Sequence, residues 1–258
     1  QAPKFVVKVS CVSGPTNMLP DVLTEASREG IPILFIDPDL VVVNKPSGLL
    51  VHRGLANDRD VALFRVRDAL GAHVFPLHRL DRGTSGALVF ARTRAAASTL
   101  GRAFQESRVD KRYLALVRGT PPADGVVDYP LPKNEGGERV PAVTHFRLLA
   151  RSQVERCSLV EARPLTGRLH QVRRHLCHLG HPLVGDVNHG RGEINRHFRA
   201  TYALHRLALH AHFVGFEHPL HAGRVSVQAP LPLDLGRTLH ALGLEAALAG
   251  ALADCERA

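Results

Sequence analysis

The chain of 258 residues is long enough to bury a core, either as one large domain or as two smaller ones. Its 45% hydrophobic and 22% charged residues are ordinary for a globular protein, and no apolar run reaches the roughly 18 residues that a membrane span requires. The formal net charge of +9 favours a polyanionic partner.

The composition also limits the kind of site that we expect. There is no tryptophan and aromatic residues make up only 5%, so phosphate contact and shape recognition are favoured over extensive base stacking. The cysteines are far apart in the sequence, which predicts reduced thiols rather than a disulfide framework or a zinc ribbon: Cys11, Cys157, Cys177 and Cys255. No secretory signal pattern opens the chain, and the expected location is the cytoplasm.

Residues 1–30 lack periodicity and contain the breakers Gly14, Pro15 and Pro20, so this segment is predicted to be a flexible leader. A single catalytic domain is predicted over 31–258. Strands are predicted at 32–36, 40–45, 87–91, 113–117, 143–150, 154–162, 207–216 and 223–228. Helices are predicted at 60–70, 94–107, from Thr166 onwards and at 236–252, and a polar loop at 132–142. Because strands outnumber helices and do not alternate with them, the pattern favours an α+β fold with a mixed sheet.

One segment, residues 78–86, places Asp81 in a turn rich in Gly, Ser and Thr before a strand. Such a turn can project a carboxylate from a rigid sheet edge into a cleft. Arg79 and Arg82 flank the carboxylate and would attract phosphate. The structural alternative is an Asp–Arg pair that caps the turn.

A second segment, residues 164–190, is predicted to place Arg168 in the first turn of an amphipathic helix. Thr166 is the expected N-cap, and Arg173, Arg174 and His175 follow. A helix N-terminus combined with arginines makes a general anion site. The alternative is a solvated basic helix face.

Five motifs in order resemble those of one known family. They are NKPSGLLVH (44–52), HRLDRGTSG (78–86), KRYLALVRG (111–119), TGRLHQVRRHL (166–176) and HPLVGD (181–186), and APLP (229–232) also fits. The chain is similar, on these residues, to the RNA pseudouridine synthases that share an HRLDxxTSG signature. The resemblance implies the pseudouridine synthase fold, with a central mixed and largely antiparallel sheet, flanking helices and a basic active-site cleft.

The resemblance also implies roles for individual residues. Asp81 would be the catalytic carboxylate, acting by attack at the ribose or by an elimination that gives a glycal. Arg168 would be its guanidinium partner, and Tyr113 would lie against the target ring and take the C5 proton. For Tyr113, a core strand tyrosine is the structural alternative.

The remaining implied residues concern RNA binding. A uridine in a stem must be extruded before it can react, which costs a few kcal/mol. Arg79 would fill the vacated space, and His78 is expected to support the loop. The predicted RNA-binding residues are His78, Arg79, Arg82, Lys111, Arg173 and Arg174. The resemblance implies no metal and no organic cofactor, RNA as partner, and neither a membrane nor an obligate protein partner.

A narrower likeness is to the tRNA-modifying branch of the family. It rests on shorter strings, namely HVFPLHRLDR (73–82), VDYPL (127–131), PAVTHFR (141–147), NRHF (195–198) and GDVNHG, in which His189 replaces a common Tyr. It implies a T-stem uridine of tRNA, position 65, as the target. Large-subunit ribosomal RNA is the alternative substrate.

Two other classes of function are weighed against the enzyme. A zinc hydrolase would use His175, Cys177, His178 and His181, but Cys177 points away from the histidines on a helix, and zinc needs three or four converging ligands. A non-catalytic RNA-binding relative would have little reason to retain Asp81 together with its implied partners. Both are disfavoured.

Overall fold

The computed structural model describes residues 9–11, 31–53, 58, 60–133 and 136–256. The chain forms two compact units. The first comprises Gln1–Asp110 and His212–Pro230, and the second comprises Lys111–Ala211 and Leu231–Ala258. The range predicted as one catalytic domain is therefore built from two units, each of which has its own core.

Thirteen strands and six helices lie in the described part of the chain. The strands are β1 (Val9–Cys11), β2 (Ile33–Ile36), β3 (Leu40–Lys45), β4 (Phe75–Pro76), β5 (Ser85–Ala91), β6 (Asp110–Arg118), β7 (Asp124–Asp128), β8 (Leu131–Pro132), β9 (Arg139–Val140), β10 (Val143–Arg151), β11 (Cys157–Pro164), β12 (Leu209–Glu217) and β13 (Arg224–Gln228). The helices are α1 (Ala62–Leu70), α2 (Arg94–Gln105), α3 (Gln171–His178), α4 (Gly192–Tyr202), α5 (Leu233–Ala241) and α6 (Glu245–Glu256).

The first unit is a sheet in the order β2-β3-β5-β12-β13, in which β4 also pairs with β5 and β1 with β13. Strand β3 lies antiparallel to β5, with Leu40 opposite Ala91 and Lys45 opposite Gly86. Val41, Val42 and Val43 are all buried although successive side chains face opposite sides of the sheet, so both faces of β3 are covered. This explains why β3 is an unbroken apolar run in the sequence.

The second unit contains the antiparallel order β6-β11-β10-β7. Strand β6 separates two apolar clusters. Leu114 and Leu116 pack into a cluster with residues of α4, α5 and α6, whereas Ala115 and Val117 pack into a cluster with residues of α3. Because alternate side chains face opposite sides of a strand, Tyr113 shares the α3 side of the sheet.

The α+β expectation with a mixed sheet and flanking helices is confirmed. The predicted strands and the first two predicted helices lie within a few residues of their observed bounds. Helix α1 ends at Gly71, whose φ of 59° is left-handed, as a helix-terminating glycine allows.

Three expectations about elements are corrected, and one observed helix was not predicted. The helix predicted from Thr166 begins at Gln171, and the C-terminal helix is two helices, because Gly243 with a φ of 68° interrupts it. Part of the predicted polar loop 132–142 pairs as the hairpin β8–β9. Helix α4 was not predicted, although Ile194, Phe198 and Tyr202 recur at the i, i+4, i+8 spacing of an apolar helix stripe.

Within the predicted leader, Val9–Cys11 pairs with β13, Val9 lying opposite Val227. The other residues of 1–30 lie outside the described residues, so the leader remains a prediction. Among the described helices, none is both long enough and apolar enough to cross a membrane.

Candidate active site

Asp81 lies in a turn of the first unit whose two ends are anchored. Leu80 before it and Thr84 after it are buried, and the turn is closed by a hydrogen bond of 3.0 Å from the Thr84 amide to the Asp81 carbonyl oxygen. Strand β5 then begins at Ser85. The Asp81 side chain is half-buried, and the fixed ends of the turn give it a defined position.

A buried lysine joins this turn to the earlier NKPSG loop. The ammonium group of Lys45, which has no exposed surface, donates hydrogen bonds to the carbonyl oxygens of Leu49 at 2.7 Å and Arg82 at 3.3 Å. The Gly48 amide donates to the same Arg82 carbonyl at 2.7 Å, and the Ser47 hydroxyl donates to the Gly83 carbonyl at 2.8 Å. Two motifs more than thirty residues apart in the sequence thus form one hydrogen-bonded loop pair. Lys45 was quoted within its motif but not predicted as a site residue.

The basic residues around Asp81 have different surroundings. Arg79 is exposed. Arg82 is also exposed, but its Nε donates to the Gly48 carbonyl at 3.0 Å and its guanidinium lies 3.3 Å from the Asp58 carboxylate. Asp58 therefore already neutralises part of the charge that Arg82 was predicted to offer to RNA.

His78 supports the loop from the side of the sheet. Its Nε2 accepts a hydrogen bond of 3.1 Å from the Val89 amide, and its ring stacks on Phe104 with centroids 4.8 Å apart. An imidazole nitrogen that accepts from a backbone amide is not available to a phosphate. These contacts favour the expected loop support over direct RNA contact by His78.

In the second unit, β6 carries Lys111 and Tyr113 on one side of the strand. Tyr113 is half-buried and packs against the α3 cluster. Lys111 is buried, and its Nζ lies 3.4 Å from the Thr166 carbonyl oxygen. Lys111 was predicted to bind RNA. Its burial and this contact instead place it under the loop that carries Arg168.

Arg168 lies in that loop and not in the first turn of a helix. Its Nε donates to the Pro141 carbonyl at 3.0 Å, and its backbone amide donates to Gln171 Oε1 at 2.9 Å. The Thr166 hydroxyl, the predicted N-cap, instead donates to Gln171 Oε1 at 2.7 Å and accepts from the Val143 amide of β10 at 3.3 Å. His170, with a φ of 54°, precedes the helix in the left-handed region.

The surroundings of Arg173 favour a structural role over the predicted RNA contact. Its guanidinium is buried and makes two hydrogen bonds, of 2.7 and 2.8 Å, to the Asp186 carboxylate. Burial would raise the pKa of Asp186, but the hydrogen bonds from Arg173 and from the amides of His189 and Asn188 outweigh it and lower that pKa. Arg173 thus joins α3 to the following loop. Arg174 is half-exposed and makes no side-chain hydrogen bond or ion pair with any described residue, so it stays a candidate for RNA contact.

The histidines and cysteine of the zinc alternative do not converge. His175 contacts the Thr144 hydroxyl at 2.9 Å and the Tyr129 carbonyl at 3.0 Å, and His181 contacts the Arg118 carbonyl at 2.9 Å. His178 stacks on Tyr129 with ring centroids 3.9 Å apart. Each side chain is engaged separately, as expected for structural histidines.

A different group brings its metal-ligating atoms within 4.8 Å of one another in the described part of the chain: Asp39, His218 and His221. Its hydrogen bonds argue against a metal. The amides of Leu220 and His221 donate to His218 Nδ1 at 3.3 and 3.0 Å, so the ring proton is on Nε2, which donates to Asp37 at 2.9 Å. A metal on Nε2 would have to displace this proton and leave an imidazolate. The group is better described as a hydrogen-bonded link between the β2–β3 and β12–β13 turns.

The first unit offers a half-buried carboxylate in an anchored turn. The second unit offers a half-buried tyrosine and a guanidinium whose backbone and side chain are both held. Such groups can perform nucleophilic or proton-transfer chemistry without a metal. Sequence reasoning found all three but did not identify Lys45 or Gln171, which fix their loops. Their position inside the quoted motifs was the available signal.

Comparison with known proteins places these loops in a family context. A family model described as RNA pseudouridylate synthase matches residues 39–178, a range that includes Asp81, Tyr113 and Arg168. The tRNA pseudouridine synthase C of Vibrio parahaemolyticus is 42% identical over 208 residues, which cover 72% of this chain and 85% of that protein. The protein of the same name from Salmonella typhimurium is 43% identical over 221 residues, covering 77% and 85%.

Solved structures show a likeness to the same family. The human RNA Pseudouridylate Synthase Domain Containing 4 superposes with a TM-score of 0.66 at 28% identity, covering 86% of this chain and 96% of that chain. The human RNA Pseudouridylate Synthase Domain Containing 1 gives a TM-score of 0.63 at 27% identity, covering 83% and 95%. The likeness therefore extends over both units.

Proposed function

Because this chain belongs to the RNA pseudouridylate synthase family, we propose that it converts a uridine of tRNA to pseudouridine with Asp81 as the catalytic carboxylate. Family membership makes the protein an RNA pseudouridine synthase, which is an isomerase. The choice of tRNA rests on relatives named tRNA pseudouridine synthase C that are 42% and 43% identical to it. The T-stem uridine at position 65 is the proposed target.

The reaction needs one bond to break and another to form at the same ribose carbon. The bond from uracil N1 to ribose C1′ breaks, the uracil rotates, and C5 bonds to C1′ while C5 loses its hydrogen and N1 gains a proton. Asp81 supports this step by attack at the ribose or by proton removal that gives a glycal. The observation that carries the proposal is the half-buried Asp81 in a turn anchored by Leu80, Thr84 and the Lys45 hydrogen bonds.

Tyr113 and Arg168 have proposed supporting roles. Tyr113 takes the C5 proton, for which a half-buried phenol on the α3 side of β6 is suitable. Arg168 is the proposed guanidinium partner of the catalytic carboxylate, as its motif in the family implies. A guanidinium suits this role because it stays charged at every physiological pH.

The proposal is tested by replacing Asp81 with Asn, which keeps the size of the side chain and removes its charge. We expect Asp81→Asn to lose pseudouridine formation because an amide can neither attack the ribose nor accept the proton. Pseudouridine is mapped chemically in tRNA and ribosomal RNA from cells that carry the gene, lack it, or carry the variant.

The exposed Asp124, changed to Asn, is the matched control and should retain activity. Loss of a tRNA T-stem signal in cells without the gene supports the tRNA proposal, whereas loss of a ribosomal RNA signal alone assigns the alternative substrate. An Asp81→Asn protein as fast as the parent contradicts the catalytic assignment.

A further inference from the structure

The side chain of Gln171 is the most completely hydrogen-bonded group near the candidate site. The residue is buried, with 5% of its surface exposed. Oε1 accepts from the Thr166 hydroxyl at 2.7 Å and from the Arg168 amide at 2.9 Å. Nε2 donates to the Val143 carbonyl at 2.9 Å and to the Thr144 hydroxyl at 3.0 Å. A primary amide offers two lone pairs and two N–H groups, and all four are used here.

These bonds join the loop that carries Arg168 to the start of β10. The Gln171 backbone amide also donates to the Arg168 carbonyl at 3.1 Å, so residue 168 is held at both its N–H and its C=O by one residue. The Thr166 hydroxyl adds a bond of 3.3 Å from the Val143 amide. These bonds fix the backbone conformation of a loop that has no regular secondary structure.

The same network reaches the hairpin segment whose Pro141 carbonyl binds the Arg168 side chain. The Thr144 hydroxyl accepts from Gln171 Nε2 at 3.0 Å and also lies 2.9 Å from His175 Nδ1. A carbonyl oxygen can only accept, so His175 Nε2 donates to the Tyr129 carbonyl at 3.0 Å, and Nδ1 of the neutral ring accepts from the Thr144 hydroxyl. Tyr129 opens the β8–β9 hairpin segment. Pro141 closes it, and the Pro141 carbonyl accepts from Arg168 Nε.

The pKa of His175 agrees with these donor and acceptor assignments. Burial lowers the pKa of His175, so the ring is neutral near pH 7. A neutral ring is what these hydrogen bonds require, because one ring nitrogen accepts and the other donates. The backbone of Arg168 is therefore hydrogen-bonded to Gln171 directly, and the hairpin that holds its guanidinium is linked to the same amide through Thr144 and His175.

We propose that Gln171 is a positioning residue for the reaction: its amide sets the backbone of Arg168 and, through Thr144 and His175, the hairpin that holds the Arg168 guanidinium. This rests on the proposed function, in which Arg168 acts on the catalytic carboxylate. The proposal adds that the rate depends on a residue with no charge and no proton to transfer.

Replacement by methionine tests it, because Gln171→Met keeps the length of the side chain and removes all four polar contacts. We expect the single-turnover rate of pseudouridine formation to fall about 100-fold, the size of effect that a misplacement of about 1 Å can have. The RNA dissociation constant should stay within about twofold, because Gln171 is buried. Gln153→Met, the same change at an exposed glutamine, should match the parent.

A double-mutant cycle with Arg168→Lys separates positioning from general stability. Gln171→Met should add less than about threefold in the Arg168→Lys background, since the group it positions has been replaced. If Gln171→Met does not fold, Thr166→Val replaces it in the same cycle. Thr166→Ser, which keeps the hydroxyl, should restore the rate.

The outcomes are distinguishable. An unchanged rate in Gln171→Met, an equal loss in both backgrounds, or a loss of RNA affinity in proportion to rate overturns the positioning role while leaving the proposed function in place. A parent protein that forms no pseudouridine, or an Arg168→Lys variant with full activity, overturns the proposed function or the role of Arg168 itself, and the positioning role with it.

Discussion

Single residues in this protein show how burial separates motif positions that resemble one another in the sequence. Lys45 and Arg79 are both cations next to the Asp81 turn, but Lys45 is fully buried with its ammonium on carbonyl oxygens, whereas Arg79 is exposed. A buried charge is tolerated only when it is hydrogen-bonded, so Lys45 stabilises the turn. Arg79 is exposed and stays a candidate for RNA contact.

This contrast leads to a prediction for Arg79. If its side chain fills the space left by an extruded base, Arg79→Ala should slow reaction of a folded tRNA T-stem more than that of a short single-stranded uridine oligonucleotide. The expected difference is on the order of tenfold or more, because unstacking costs a few kcal/mol and only the stem incurs that cost. Rates on both substrates provide the measurement.

Arg102→Ala is the control for that experiment, because Arg102 is an exposed arginine on α2. It should affect neither substrate appreciably. Equal losses on stem and single strand in Arg79→Ala would refute gap filling.

On helix α3, neighbouring arginines have different surroundings, one in the protein interior and one facing solvent. Arg173 and Arg174 are adjacent, yet Arg173 is buried on Asp186 and Arg174 is half-exposed. Adjacent positions on a helix differ by about 100° in direction, which is enough to put one side chain in the core and the next in solvent. A basic helix face is therefore not uniformly available to RNA.

The two arginines should respond differently to replacement by alanine. Arg173→Ala leaves the Asp186 carboxylate buried without its partner, and breaking a buried pair in this way costs about 3–5 kcal/mol of unfolding free energy. Arg174→Ala should leave stability nearly unchanged and weaken RNA binding. Denaturant unfolding and RNA affinity of both variants are measured, and a stable Arg173→Ala protein with weak RNA binding would contradict the structural role of Arg173.

The His175 network predicts a pH dependence of stability. Burial lowers the pKa of His175 below 6.5, so the unfolded chain takes up a proton that the folded protein excludes. The stability that neutral His175 contributes is therefore present above pH 6.5 and is lost as the pH falls, by up to about 1.4 kcal/mol per pH unit for one proton. His175→Gln, which cannot titrate, should flatten the unfolding free energy between about pH 6.5 and pH 5.

His73, an exposed histidine, provides the control for that experiment. His73→Gln should follow the parent protein through the same pH range. A parent profile that is already flat, or one that His175→Gln leaves unchanged, would show that His175 does not carry the effect.

The whole molecule carries a formal net charge of +9. Several arginines in both units are exposed, among them Arg79, Arg94 and Arg199. Such a distribution favours RNA through phosphate contacts along an extended surface, and the low aromatic content agrees with this.

RNA affinity should therefore depend steeply on salt. If about four phosphates are neutralised, the dissociation constant should rise on the order of 100-fold between about 50 and 200 mM monovalent salt. Titration of tRNA against the Asp81→Asn protein measures this without turnover. An affinity that does not change with salt would show that the net charge does not serve RNA binding.

The sequence by itself determined the family, the α+β class and most strands, because ordered motifs and alternating or continuous apolar runs are local properties of the chain. It also singled out Asp81, Tyr113 and Arg168, all of which lie in the range that the family model matches. It misplaced the start of α3, since the Thr166 hydroxyl binds a side chain rather than a helix amide, and nothing local reveals that choice.

Only the tertiary structure decided which basic residues are open to solvent and which are structural. Arg173 and Lys111 have the same chemistry as exposed cations. However, Arg173 is bound by the Asp186 carboxylate, and Lys111 by the Thr166 carbonyl oxygen. Gln171 gained its role in the same way, through partners on β10. Burial and partner choice depend on which distant segments the fold brings together, and a one-dimensional pattern does not contain that information.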